Sequence, residues 1–438
     1  MILERACGSV QAQMVGLVRA GGLAQAQTVE KARRGQARQA KMNRDLKYWK
    51  EAATVILASG VRNCFGNKDS QITSTQASGP PSSVLKQERN VIHSLVEKPV
   101  FDYAVLTLQR SAKCSFLPHA QVFPGGTVNP SDFSSEWIQI FQSFCKPPNF
   151  KLGTVKQTSK RAPMFATDRR KLGSEIPGEV AFRICAVRET FEESGILLMK
   201  PNAPETCSSS QGAIKLTQYD QKELANWRLL VQKNAANFIK LCKELDCIPN
   251  IWALKEWSNW LTPTYLERKR FDTAFFICCL QEIPFTLQDG YETVFYNWMS
   301  PPDFIKGHNS EKFYIPPPQW YELSRLCQIP HFQDLQQFSQ QRALEGCERW
   351  LPVRFLASDG YAILYPGDDL YPEDPDYTGE KKMNVSSSKT LEQLRLEATK
   401  LNRAELRGLH GITLYVNIEP QYKHLHPLNM GSCQNCHL

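Results

Sequence analysis

A chain of 438 residues with 42% hydrophobic and 22% charged residues has the composition of an ordinary globular protein, long enough for one large domain with insertions or for two domains. No apolar run approaches the roughly 20 residues that span a bilayer, so no membrane span is expected. A formal charge of +8 leaves room for an anionic small molecule but is far from the dense basic surface of a nucleic-acid binder, so no nucleic acid is expected as a partner. Fourteen cysteines without regular spacing give no disulfide framework, and reduced thiols in an intracellular compartment fit them.

Within the extension at residues 1–45, the first 41 carry Arg5, Arg19, Lys31, Arg33, Arg34, Arg38 and Lys41 against only Glu4 and Glu30. This reads as a basic, disordered extension, with a transit-like segment as the alternative. The apolar run at 52–59, ending at Gly60, predicts a buried strand. Residues 65–98, rich in Ser, Gln and Pro, predict a long surface insertion. A second strand at 102–108 leads to the basic turn Gln109-Arg110-Ser111 and then to Val122-Phe123-Pro124-Gly125-Gly126, whose paired glycines let the backbone turn tightly against something else. Residues 127–177 read as another insertion, with a short helix at 137–144 and a basic, loop-like remainder.

A helix opens at Pro177-Gly178-Glu179 and stops at Gly195. There follow a strand at 196–198, an amphipathic helix at 223–245, and strands at 271–280 and 292–298, the latter after the turn Asp289-Gly290. Pro301-Pro302 introduces a short helix. Residues 331–438 read as a C-terminal extension of loops, one helix at 391–401 and an alternating run at 411–416. No internal repeat is visible.

The chemistry concentrates in Arg188-Glu189-Thr190-Phe191-Glu192-Glu193-Ser194-Gly195-Ile196. A helix turns about 100° per residue, so Glu189, Glu192 and Glu193 fall on one face. Three carboxylates together repel unless solvated, and the arrangement becomes favourable when divalent cations sit between them. Arg188 can pair with a carboxylate and hold its rotamer. An exposed acidic turn is the bland alternative, but Arg-Glu-x-x-Glu-Glu-x-Gly arises by chance in roughly one chain of this length in two thousand.

On these residues the chain resembles the Nudix hydrolase family, whose box is Gly-x5-Glu-x7-Arg-Glu-U-x-Glu-Glu-x-Gly-U, where U is aliphatic. The second half matches from Arg188 to Ile196, with Thr190 in an aliphatic position. The first half departs: Val180 stands where a glutamate belongs, with Glu179 one place off and Gly173 six before it. Phe123-Pro124-Gly125-Gly126 resembles the missing glycine loop, separated from its helix by residues 127–177. Leu106-Thr107-Leu108-Gln109-Arg110-Ser111, Trp260-Leu261-Thr262-Pro263, Arg270-Phe271-Asp272-Thr273 and Trp298-Met299-Ser300-Pro301 are similar to the coenzyme A diphosphatase branch.

The resemblance, over residues 46–330, implies an α+β fold, a Nudix-type α/β/α sandwich with a mixed sheet. It implies hydrolysis of the diphosphate of coenzyme A or acyl-coenzyme A to 3′,5′-adenosine diphosphate and (acyl) 4′-phosphopantetheine. The catalytic set would be Arg188, Glu189, Glu192 and Glu193, the three glutamates holding Mg²⁺ or Mn²⁺. Gly125 and Gly126 would lie at the substrate, with Arg110, Lys113 and Arg270 as candidates to meet the ribose phosphate. Glu292 could add a ligand or base. Another diphosphate substrate, such as ADP-ribose or a dinucleotide, and a catalytically silent binding module are the competing readings. Cys433-Gln434-Asn435-Cys436-His437 has the spacing of haem attachment without further support. Cys436-His437-Leu438 fits the small-basic-leucine address read by the peroxisomal import receptor, so a peroxisomal location is expected, with the mitochondrion as the alternative.

Overall fold

The computed structural model describes residues 48–61, 101–144, 147, 150–156, 161–202, 221–266, 269–381, 385–407 and 411–428. The expected N-terminal extension, the insertion at 65–98 and the cysteine and tripeptide motifs at 433–438 lie outside these residues.

An eight-stranded mixed sheet forms the centre of the fold. Its axis is the strand Lys50–Gly60, which runs parallel to Phe271–Leu280 in continuous register from Lys50 opposite Phe271 to Ser59 opposite Leu280. On its other side the strand is shared: Gly125–Thr127 pairs its first half and Tyr103–Arg110 its second. The Thr54 hydroxyl donates to the Pro124 carbonyl at 2.7 Å and the Val55 amide at 2.9 Å, which closes the gap between those partners. Strand Thr293–Met299 extends the sheet beyond Tyr103–Arg110.

Strand side chains alternate between faces, and the core divides accordingly. Ala53, Val55 and Leu57 pack with Val180, Ile184 and Val187 of the helix Gly178–Ser194. Ile56 and Ala58 face the opposite side, with Phe304, Trp320 and Leu335 from the helices Pro301–Asn309, Pro317–Leu326 and Phe332–Arg342. The expected α/β/α layering is present.

Four expectations change. The part of 127–177 outside its short helix is not a surface loop: Phe133 and Phe165 pack on Phe182 of the glutamate helix, Phe150 and Met164 are buried in the same core, and Arg169 forms a two-point ion pair with Glu51 on the central strand. Phe133, Trp137, Phe141 and Phe144 recur every three or four residues, the period that supports the helix expected there, of which Glu136–Ile140 forms; Phe150, Met164 and Phe165 follow no such period, so pattern could not reveal their burial. The helix expected at 223–245 is two, Gln221–Lys233 and Asn237–Glu244, because the Asn234 carbonyl side chain accepts from the Ala236 amide and turns the chain there. Residues 196–198 form no strand; Met199–Pro201 pairs with Cys247–Pro249 instead.

The fourth difference is the segment after residue 330, which contains, besides the expected helix at Leu391–Glu397, the helix Phe332–Arg342 and a second, five-stranded sheet. There Val353–Leu356, Tyr361–Leu364, Asn402–Arg407 and Gly411–Val416 pair antiparallel in sequence. Its Ile363, Ala404, Leu414 and Val416 join the same core as the helices on that side of the central sheet. The strand Lys255–Leu261 was also unforeseen: Glu256, Ser258 and Asn259 are buried in it, with Glu256 paired to Arg161 at 2.7 Å and Asn259 donating to Asp272 at 2.8 Å. All eight described cysteines are free thiols, and no described helix is long and apolar enough to cross a membrane.

Candidate functional site: a carboxylate helix at the mouth of a two-sheet cavity

Helix Gly178–Ser194 starts after Pro177 and ends at Gly195, which adopts the left-handed conformation (φ 71°) that stops helices at low cost. It is buried almost all round, so Glu193 is 3% exposed rather than part of a solvated face. Its last turn is held from outside. Arg228 and Gln232 donate to the Glu192 carbonyl at 2.9 and 2.8 Å, and the Thr293 hydroxyl donates to that of Glu193 at 3.2 Å. Thr190 is fully buried and donates to the Ala186 carbonyl at 2.7 Å. Its hydroxyl is thereby satisfied, which explains how it fits an apolar position.

Arg188 is the hub. Two of its nitrogens donate to the two oxygens of Asp132, both at 2.9 Å, and Nη1 donates to Glu189 at 2.8 Å and Glu192 at 2.6 Å. Burial opposes its charge, but Asp132 and Glu189 overcome that and raise its pKa. Asp132 was missed by the sequence reading. Its signal was Asn129-Pro130-Ser131-Asp132, a capping box in which Asp132 accepts from the Asn129 amide.

The glycine pair has two separate uses. A Cβ on Gly125 would fall 2.4 Å from the Ala53 carbonyl oxygen, and one on Gly126 would fall 2.5 Å from the Glu189 carboxyl. The Gly125 amide donates to Glu193 at 2.9 Å, holding one carboxylate oxygen and turning that side chain to the cavity. Burial, and then the charge of Glu189, push Glu193 well above the usual carboxylate range. Burial also raises Glu189 against the pull of Arg188, and pushes Glu192 up to about 7.

The single guanidinium of Arg188 in this turn pairs with two of the three carboxylates, and their hard oxygen donors suit a divalent cation such as Mg²⁺. As they stand, no three His, Cys, Asp or Glu side chains among the described residues form a closed chelating group. Arg188 occupies oxygens of Glu189 and Glu192, and Mg²⁺ sites are commonly completed by water and substrate phosphate oxygens. The residues therefore fit a cation shared with an anionic ligand.

Glu193, Gly125 and Gly126 line a cavity of about 520 Å³, within the ~300–1,000 Å³ of ligand sites. Arg110 and Glu292 line it as well, Arg110 held by donation to the Phe116 carbonyl at 3.0 Å. Lys113 is exposed and is not in the lining. Arg270 is buried outside the lining, donating to the Thr262 carbonyl at 2.9 Å. Its neighbour Lys269 lines the cavity and donates to Ser115 at 2.7 Å. Glu179 is remote from the three glutamates, on the order of 15 Å down the helix, where it pairs with Arg161 at 2.8 Å. Trp260, Leu261, Thr262, Pro263, Phe271 and Thr273 from the two central matched segments line the cavity, whereas Trp298 does not.

With this geometry in view, comparison with known proteins is decisive. Residues 49–326 match the NUDT19 Nudix domain and residues 354–417 the NUDT19 C-terminal domain. The chain belongs to the NUDT19 family of Nudix proteins. It is 48% identical over 397 residues to a Xenopus laevis protein named acyl-coenzyme A diphosphatase NUDT19, covering 89% of this chain and 98% of that one. The Gallus gallus protein of that name is 45% identical, with 89% and 98% covered. The Homo sapiens protein is 38% identical, with 87% and 95% covered. In this NUDT19 family member, the second sheet that adds its wall to the cavity falls within the matched C-terminal domain.

Proposed function

We propose that this protein hydrolyses the diphosphate bond of coenzyme A and its acyl esters, releasing 3′,5′-adenosine diphosphate and (acyl) 4′-phosphopantetheine. The observation that carries the reading is the position of Glu193: buried, fixed by the Gly125 amide, and facing a ligand-sized cavity beside Arg110. The length-wide identity to acyl-coenzyme A diphosphatases supplies the substrate class.

Glu189, Glu192 and Glu193 would hold Mg²⁺ or Mn²⁺, which when bound neutralises phosphate charge and acidifies a water ligand. The remaining work belongs to the chain. Arg188, anchored on Asp132, fixes the rotamers of Glu189 and Glu192. Gly126 lets the loop backbone approach Glu189, and Gly125 fixes Glu193. Arg110 and Lys269 bring cations to the cavity for an anionic substrate. Glu292, exposed in the lining, is a further base or ligand.

Rates on coenzyme A, acyl-coenzyme A, ADP-ribose and a dinucleotide, measured with Mg²⁺ and with Mn²⁺, test the assignment. The coenzyme A compounds should be preferred; a strong preference for ADP-ribose would overturn it. We also propose peroxisomal residence through Cys436-His437-Leu438. Removing that tripeptide should disperse the protein into the cytosol, and an unchanged distribution would count against it.

A further inference from the structure

The cavity draws on both sheets. Its lining includes Glu193, from the helix on one face of the central sheet, and the cations Arg110 and Lys269, which are tethered to one turn through the Phe116 carbonyl and the Ser115 hydroxyl. Part of its wall comes from the second sheet, which packs on the other face. Tyr361 pairs across strands with Leu406, and Leu406 with Ile412. Cross-strand partners present their side chains on the same face, so these three form a transverse row, and all three line the cavity together with Ile363, two residues from Tyr361 on the same strand face. Ile363 and Ile412 are buried, and Leu406 is half-buried. Arg354, the cation that this sheet adds, is exposed and holds its guanidinium over the Tyr265 ring at 4.8 Å.

We propose that the second-sheet wall of the cavity, built on Tyr361, Ile363, Leu406 and Ile412, holds the acyl chain of a coenzyme A thioester. The C-terminal domain is thereby part of the substrate site and makes it select acylated over free coenzyme A. This inference rests on the reading of the protein as a coenzyme A diphosphatase. An adenine ring would need hydrogen-bonding groups at its edge, and the row offers hydrocarbon with a single hydroxyl from Tyr361. A hydrocarbon chain needs only exclusion from water, and each methylene buried strengthens transition-state binding by up to about fourfold.

The test is kcat/KM for free coenzyme A and for its acetyl, octanoyl and dodecanoyl esters, on the full chain and on Leu406→Lys. In the native protein kcat/KM should climb with acyl length and then level off. In Leu406→Lys, the ratio of dodecanoyl-coenzyme A to coenzyme A should fall at least tenfold. The native series stands even if the variant does not fold. A native kcat/KM independent of chain length would overturn the inference, as would a folded variant in which both substrates lose rate equally. Turnover of ADP-ribose but of no coenzyme A compound would instead overturn the underlying reading.

Discussion

Arg188 and Asp132, 56 positions apart in the chain, close a two-point ion pair with both N–O distances at 2.9 Å, and neither side chain has more than 3% exposure. The insertion that divides the glycine loop from the glutamate helix thus supplies the anchor for the helix's arginine. Without Asp132 the guanidinium would still bridge Glu189 and Glu192, but its other edge would keep only the Thr127 carbonyl at 3.3 Å and the Cys185 sulfur at 3.6 Å, with no opposite charge.

Asp132→Asn keeps the shape and removes the charge. Activity should fall about 10- to 100-fold, the usual cost of losing the partner that orients a ligand residue. Breaking one side of a buried pair should also cost on the order of 3 kcal/mol. Steady-state kinetics and chemical denaturation on the same variant check both, and native values in each would show that the pair positions nothing.

Gly126→Ala separates chemistry from stability. The added methyl would fall 2.5 Å from the Glu189 carboxyl, the far end of a side chain that makes room only by shifting against its 2.8 Å contact with Arg188. The expected stability loss is below about 1 kcal/mol, while displacing Glu189 by about 1 Å should lower kcat roughly a hundredfold. Thermal unfolding alongside turnover measures the split, and parallel small losses would contradict it.

His424 provides a pH test remote from the glutamates. It is packed at 4.5 Å from the Trp257 ring, and its Nδ1 accepts from the Leu425 amide at 2.8 Å. Burial, followed by the charges of Arg325 and Arg342, depresses its pKa well below 6.5. The unfolded chain therefore binds a proton that the folded one refuses. Stability is whole above pH 6.5 and falls as the pH drops from 6.5 toward the depressed value. His424→Phe should flatten the change in Tm between pH 7.5 and pH 5.5, and an unaltered slope would remove His424 as its cause.

The catalytic helix was legible because its chemistry fixes residue identities at fixed spacing, and Gly195 marks its end by conformation alone. The central strands at 52–59 and 271–280 were legible as apolar runs. Buried polar residues hid the strand Lys255–Leu261, since Glu256 and Asn259 look solvated until Arg161 and Asp272 are seen beside them. Arg270 was singled out where Lys269 lines the cavity, because motif spacing does not say which of two adjacent cations turns inward. The second sheet was legible only at its alternating strand 411–416, and its partner strand Asn402–Arg407 carries Arg403 and Glu405 in buried positions. Arg403 is paired there with Asp368 and Glu405 with Arg395, partners that sequence distance concealed.

The most direct measurement is metal-dependent hydrolysis of acyl-coenzyme A by Glu193→Gln, with thermal unfolding on the same sample. Glutamine can still accept the Gly125 amide, and removing a desolvated carboxylate should leave stability within about 1 kcal/mol of native or raise it. Turnover should nevertheless fall about a thousandfold or more, since the charge that binds the cation has gone. A folded Glu193→Gln protein that hydrolyses acyl-coenzyme A at the native rate would contradict the account.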